Sequence, residues 1–154
     1  LDADVGNIVN TNRKTTIAPR ILQYSFTILD KIFHLKFYPT EIYTYNKDIY
    51  QGDVLICTFC NGHYFGGGYQ AGYYSSLEDG MIDISVVPEI SKKELPYYLK
   101  GLITNTLHKT KKFHHFKEED VWVKTSQYVN IDGEKYDPGT YHLKCIHNAI
   151  QLVY

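Results

Sequence analysis

Apolar residues recur along this chain at two different spacings. Ile21, Leu22, Phe26, Ile28, Leu29, Ile32 and Phe33 follow Pro19 at helical spacing. A proline suits a first helical turn, where its missing N–H needs no partner, so the pattern predicts a helix over 19–34. From Leu35 the period changes to two. Phe37, Ile42 and Tyr43, then Ile49 and Tyr50, flank the polar Asn46-Lys47-Asp48 segment and predict a hairpin. Val54-Leu55-Ile56-Cys57-Thr58-Phe59-Cys60 is nearly all apolar, as expected of a central strand covered on both faces. Gly62 and Gly66-Gly67-Gly68 interrupt it, and Ile82-Asp83-Ile84-Ser85-Val86-Val87 forms another strand after the Glu78-Asp79-Gly80 turn.

A second helix is signalled by Ser91-Lys92-Lys93-Glu94, which has capping-box spacing, and by a buried stripe of Leu95, Leu99, Leu102 and Ile103. Pro96 falls late for that cap and predicts an irregular opening turn. Val121-Trp122-Val123, Tyr128-Val129-Asn130-Ile131, 141–146 and 150–154 complete the strands. Asp132-Gly133 favours a two-residue type I′ turn, and Asp137-Pro138-Gly139 marks another turn. Many short strands, frequent turns and only two helices predict a mainly β (α+β) fold, a β-sandwich with two helices. No internal repeat or boundary divides residues 1–154, which read as one domain.

Composition narrows the function. Sixteen basic residues nearly cancel seventeen acidic ones, so no long-range field draws in nucleic acid or an anionic surface, and no nucleic-acid partner is expected. Fifteen tyrosines and seven phenylalanines suit half-buried pleated surfaces. Three cysteines make no even framework, and no basic leader with an apolar run is visible, which suggests a reducing compartment. No window reaches the roughly 18 consecutive apolar residues of a spanning helix, so membrane contact is expected to be peripheral. The chain opens at Leu1 without an initiator Met, as a piece of a longer polypeptide would.

Several motifs could carry chemistry. Cys57-Thr58-Phe59-Cys60 has C-x-x-C spacing, yet residues three apart on a strand point to opposite faces, which favours ordinary buried thiols. His114-His115 face opposite ways for the same reason, against metal ligation by histidine. Gly66-Gly67-Gly68 could cradle phosphate, but no helix follows it, so close backbone approach or a bulge is the preferred reading. Asp79, in its Asp-Gly turn, is either simple turn chemistry or one carboxylate of a hard-cation site completed by carbonyl and water oxygens. Glu134, just past the Asp132-Gly133 turn, is either a turn neighbour or a general base presented on a rigid hairpin.

Taken in order, Asn61-Gly62-His63-Tyr64-Phe65-Gly66-Gly67-Gly68, Asp79-Gly80-Met81-Ile82-Asp83 and Ile131-Asp132-Gly133-Glu134 resemble the second domain of the soluble diacylglycerol and sphingosine kinases and their bacterial relatives. Leu1-Asp2-Ala3-Asp4-Val5 is similar to the family's Gly-Phe-Asp-Ala segment, and 92–112 resembles its helix with a short basic stretch. The likeness covers nearly the whole chain.

The resemblance implies a β-sandwich packed against a nucleotide-binding domain that this chain lacks. ATP, the co-substrate, would be held mainly by that absent domain, leaving this chain inactive alone. It implies that Asp79 holds a structural Mg2+ with backbone carbonyls of Ser76 and Met81, and that Glu134 is the general base for the lipid hydroxyl. Gly72-Tyr73-Tyr74-Ser75 departs from the usual Ala-Pro-Asp-Ala, and Glu78 replaces an aspartate. The implied activity is ATP-dependent phosphorylation of a diacylglycerol-like lipid in phospholipid metabolism. The implied partners are the lipid substrate, ATP through the missing domain and a peripheral membrane contact, with a homodimer left open; the implied location is the cytoplasmic, inner membrane face. Two rivals stand beside this reading: a stand-alone aromatic-rich β-sandwich that binds a ligand without chemistry, and a relative of NAD kinase.

Overall fold

The computed structural model describes residues 36–65 and 69–149. The expected helix over 19–34, the glycines 66–68 and the strand at 150–154 lie outside them. The first strands are β1 (Tyr38–Tyr43) and β2 (Asp48–Cys60), an antiparallel hairpin as the period-two pattern predicts. The short pair β3 (Tyr64–Phe65) and β4 (Tyr69–Gln70) follows, then β5 (Ile82–Pro88) and helix α1 (Leu95–Ile103). After a single 3₁₀ turn at Leu107–Lys109 come β6 (His114–Glu118), β7 (Asp120–Thr125), the hairpin β8 (Val129–Ile131) and β9 (Glu134–Tyr136), and β10 (Gly139–Lys144).

Six strands form one antiparallel sheet in the order β10-β7-β1-β2-β5-β6. Only Glu119 separates β6 from β7, yet three strands lie between them in that order. The sheet must therefore fold over on itself, with Glu119 at the corner where one strand passes between layers. Lys47 pairs with Glu118 at 2.7 Å, and the Cys145 N–H donates to the Glu119 carbonyl at 2.9 Å, which pins that corner. The enclosed core draws Ile42 from β1, Val54 from β2, Ile82, Ile84 and Val86 from β5, and Val121 and Val123 from β7, with Phe116, Tyr141 and Leu143 at its margin. Hydrophobic residues from both layers bury one another, which gives the sandwich character expected from the sequence.

A second apolar cluster covers the outer face. Leu55, Val87 and Ile90 meet Leu95 and Tyr98 of α1 and Leu107. A bulge in β2 makes this possible: Val54 pairs with Pro88 and Ile56 with Val87, leaving Leu55 as one extra residue. That extra residue resets the alternation, so Val54, Cys57 and Phe59 face the enclosed core while Leu55 and Ile56 face the helix. The run expected to be covered on both faces is fully buried only at Val54 and Leu55 and half-buried from Ile56 to Cys60. Strand β5 better fits that description, being buried from Ile82 through Val87.

The capping box forms in altered form. Glu94 reaches back to the Ser91 N–H at 2.9 Å, but the Ser91 hydroxyl donates to the same carboxylate oxygen, also at 2.9 Å, instead of capping the helix. The helix proper begins at Leu95 with Pro96 in its first turn, behind an irregular opening as expected. The stripe is corrected at its end: Ile103 is 61% exposed, and Tyr98 is buried in its place.

Candidate functional site

The Asp79 loop is built between β4 and β5. The N–H groups of Ala71 and Gly72 both donate to the His63 carbonyl, at 3.1 and 3.2 Å, clasping the loop to the residue just before β3. Gly72 lies so close to its neighbours that a Cβ would fall 2.4 Å from the Gly62 carbonyl oxygen and 1.9 Å from Ser75 Oγ. From there Ser85 Oγ donates to the Ala71 carbonyl at 3.1 Å, and the Tyr74 ring lies against His115, 4.5 Å between centroids. Tyr73 packs on His108 and, edge-on, on Phe113. Gly72-Tyr73-Tyr74-Ser75 is thus held by aromatic contacts to β6, to Phe113 and to the 3₁₀ turn.

Asp79 sits at the turn's apex, where Gly80 takes φ +68°, a conformation that favours glycine. Its Oδ1 accepts the Met81 N–H at 3.0 Å. Its Oδ2 accepts from the Lys117 ammonium at 2.7 Å. The Lys117 hydrogen bond, followed by the Met81 N–H, holds the Asp79 carboxyl below its ordinary pKa. In return the hydrogen bond to Asp79 raises that of Lys117. Ser76 Oγ accepts the Glu78 N–H at 3.3 Å.

Behind this turn lies Asp83, whose side chain is 0% exposed. Period-two alternation on β5 and β6 sets Asp83 opposite Lys117 and Ser85 opposite His115 on the outer face. His115 Nε2 lies 2.5 Å from Asp83 Oδ1, and Lys117 Nζ lies 3.4 Å from Oδ2, within ion-pair range but without hydrogen-bond geometry. A buried carboxylate held between the partly exposed His115 ring and the Lys117 ammonium is therefore the electrostatic centre of this end of the sheet. Sequence reading missed it, although the signal was present: Asp83 interrupts an apolar strand, and 115 and 117 alternate on another.

Magnesium finds little room in this arrangement. Both Asp79 oxygens already accept hydrogen bonds, one from an ammonium at the place a cation would take. With both oxygens so engaged, Asp79 as folded does not fit the ion.

Glu134 opens β9 on the β8–β9 hairpin. Asp132 and Gly133 take φ values of 50° and 94°, the positive pair required by a type I′ turn, and Asn130 Oδ1 accepts the Gly133 N–H at 2.9 Å. The Glu134 carboxylate is exposed and accepts the Tyr136 hydroxyl at 3.2 Å, which raises the Tyr136 pKa. Lys135 Nζ lies 3.5 Å from the Tyr128 ring centroid, and Tyr128, Ile131 and Tyr136 are exposed around it.

The hairpin continues from the rung Gly139–Thr125–Thr40–Gly52, beside the Pro88 end of β5, where the Glu89 N–H donates to the Asp53 carbonyl. Asp79 precedes the Ile82 end. The hairpin that carries Glu134 thus continues from the Pro88 side of the sheet, and the Asp79 turn enters from the Ile82 side.

The remaining candidates resolve as thiols and packing groups. Cys57 faces the enclosed core opposite Val86, and Cys60 faces outward opposite Asp83. The two cannot chelate together. Burial, followed by repulsion from Cys60, pushes the Cys57 thiol up to about 12, so it is inert. His114 stacks on Phe116 while His115 turns to Asp83, the opposite orientations read from the sequence.

Residues 1–154 match the YegS C-terminal NAD kinase beta sandwich-like domain family. The chain is 28% identical over 134 residues to "Probable lipid kinase YegS-like" of Shewanella frigidimarina (strain NCIMB 400), covering 84% of this chain and 42% of that protein. Crystal structures of a diacylglycerol kinase from Bacillus anthracis str. Sterne share the fold. One superposes with TM-score 0.54 at 19% identity over 84% of this chain and 48% of that one, another with TM-score 0.50 over 75% and 43%. The chain spans less than half the length of these relatives. With a folded-over antiparallel sheet, a helix covering its outer face and a match running its full length, the chain belongs to the YegS C-terminal NAD kinase beta sandwich-like domain family.

Proposed function

We propose that this domain receives the lipid substrate of an ATP-dependent kinase and supplies the base for its hydroxyl. The observation that carries the reading is the β8–β9 hairpin, where a carboxylate is held on a rigid type I′ turn among exposed Tyr128, Ile131 and Tyr136. An alcohol attacking a γ-phosphoryl group needs a positioned proton acceptor, and Glu134 Oε1, with Oε2 engaged by the Tyr136 hydroxyl, suits that task. Apolar and aromatic side chains beside it would cover an acyl-glycerol body at a membrane face. Charge stabilisation in such a transfer comes mostly from groups on the nucleotide. Those groups, with ATP and its Mg2+, belong in this proposal to a second domain outside this chain, and the whole works at the inner, cytoplasmic membrane face.

The test is turnover of the intact protein on diacylglycerol and on NAD. Phosphorylation of diacylglycerol alone is expected, and phosphorylation of NAD instead would replace this reading with the NAD kinase one. Within an active lipid kinase, Glu134→Ala and Glu134→Gln should lower kcat by roughly 10²- to 10⁴-fold with folding intact. Near-normal turnover of both would remove Glu134 from the chemistry while leaving the substrate class standing.

A further inference from the structure

Family resemblance puts a divalent cation at Asp79, and the geometry puts a lysine there. We propose that the Lys117 ammonium serves as the built-in counter-cation of the Asp79 loop, bridging Asp79 and Asp83, so that this chain closes the loop without a divalent metal ion. The inference does not rest on the lipid-kinase chemistry proposed above.

Three observations carry it. Lys117 Nζ lies 2.7 Å from Asp79 Oδ2 and 3.4 Å from Asp83 Oδ2, so one ammonium meets two carboxylates. The second Asp79 oxygen is bound to the Met81 N–H, which fixes the carboxylate plane toward the lysine. Asp83 is fully buried and its Oδ2 has no hydrogen-bond donor, so its charge needs a cation close by.

A free ion competes poorly here. Mg2+ demands near-octahedral oxygen coordination at about 2.0–2.1 Å and dehydrates reluctantly. A second cation on Asp79 Oδ2 would stand against the ammonium, and like charges at that separation repel. Lys117 is tethered by its own strand, so its pairing is intramolecular and needs no ion captured from solution. Strand β6 aims it: Lys117 faces Asp83 across the ladder, and its side chain reaches over to the turn.

The measurement is amide hydrogen exchange of peptides spanning 73–83 in the full-length protein, with chelator or with millimolar Mg2+. The wild-type loop should show equal protection in both. Lys117→Met removes the charge and leaves two carboxylates facing each other, so protection should fall by about tenfold or more in chelator. It should recover in Mg2+, because the vacated position now accepts an ion. Lys117→Arg keeps a cation and should stay protected. Wild-type protection that rises with Mg2+, saturates, and is lost in Asp79→Asn would overturn the proposal, as would unchanged protection in Lys117→Met. If Lys117→Met fails to fold, wild type and Asp79→Asn decide: metal-independent protection that disappears in Asp79→Asn supports the lysine, and metal-dependent protection refutes it.

Discussion

Asp83 offers a direct way to weigh the electrostatic centre of the sheet. Replacing it with alanine removes a carboxylate of 0% exposure and strands its two partners, the His115 ring at 24% and the Lys117 ammonium at 32% exposed. The first loss is a charge-assisted hydrogen bond from His115, worth about 1.5–3 kcal/mol. Breaking a fully buried ion pair costs more, about 3–5 kcal/mol, because the remaining charge has no solvent. Here both partners reach water and Lys117 keeps Asp79, so the expected cost is about 2–3 kcal/mol. In a domain of this size that lowers Tm by about 4–12 °C. Urea unfolding with an unchanged slope would confirm that only stability moved. Asp83→Leu fills the same volume without a charge to bury, and should cost less than alanine. A double-mutant cycle with His115→Phe should show coupling of about 1–2 kcal/mol. An Asp83→Ala loss below about 0.5 kcal/mol, or no coupling to His115, would refute the claim that this pair stabilises the β5–β6 ladder.

Two further outcomes follow from local geometry. Gly72→Ala should destabilise by about 1–3 kcal/mol, and Ser75→Gly should not rescue it, because the Gly62 carbonyl remains 2.4 Å from the added Cβ; full rescue in chemical denaturation would show that the hydroxyl alone matters. Glu94, held at about 2 instead of 4.5 first by the Ser91 N–H and then by Lys112, has a depressed folded-state pKa. Its contribution is therefore complete above 4.5 and lost as pH falls toward 2. The stability gap between wild type and Glu94→Gln should be constant near neutrality and close across that window, and parallel profiles would contradict it.

Local chemistry made the elements of this protein legible. Asp132-Gly133 carries its turn type in two residues, because only positive φ at both positions closes a twisted hairpin, and both are positive here. Strand β5 and helix α1 follow from alternation and from a capping signal, each a matter of neighbours within four residues. Membership of the YegS C-terminal domain family was legible too, as a pattern running along the chain. Tertiary structure decided what those elements do together. The bulge at Leu55 and the corner at Glu119 arise because a sheet must bury both of its faces, a demand no single window of sequence expresses. The partner of Asp79 stands 38 positions away. A carboxylate in a turn attracts a cation wherever it lies, but only the pairing of β5 with β6 determines that the cation is Lys117.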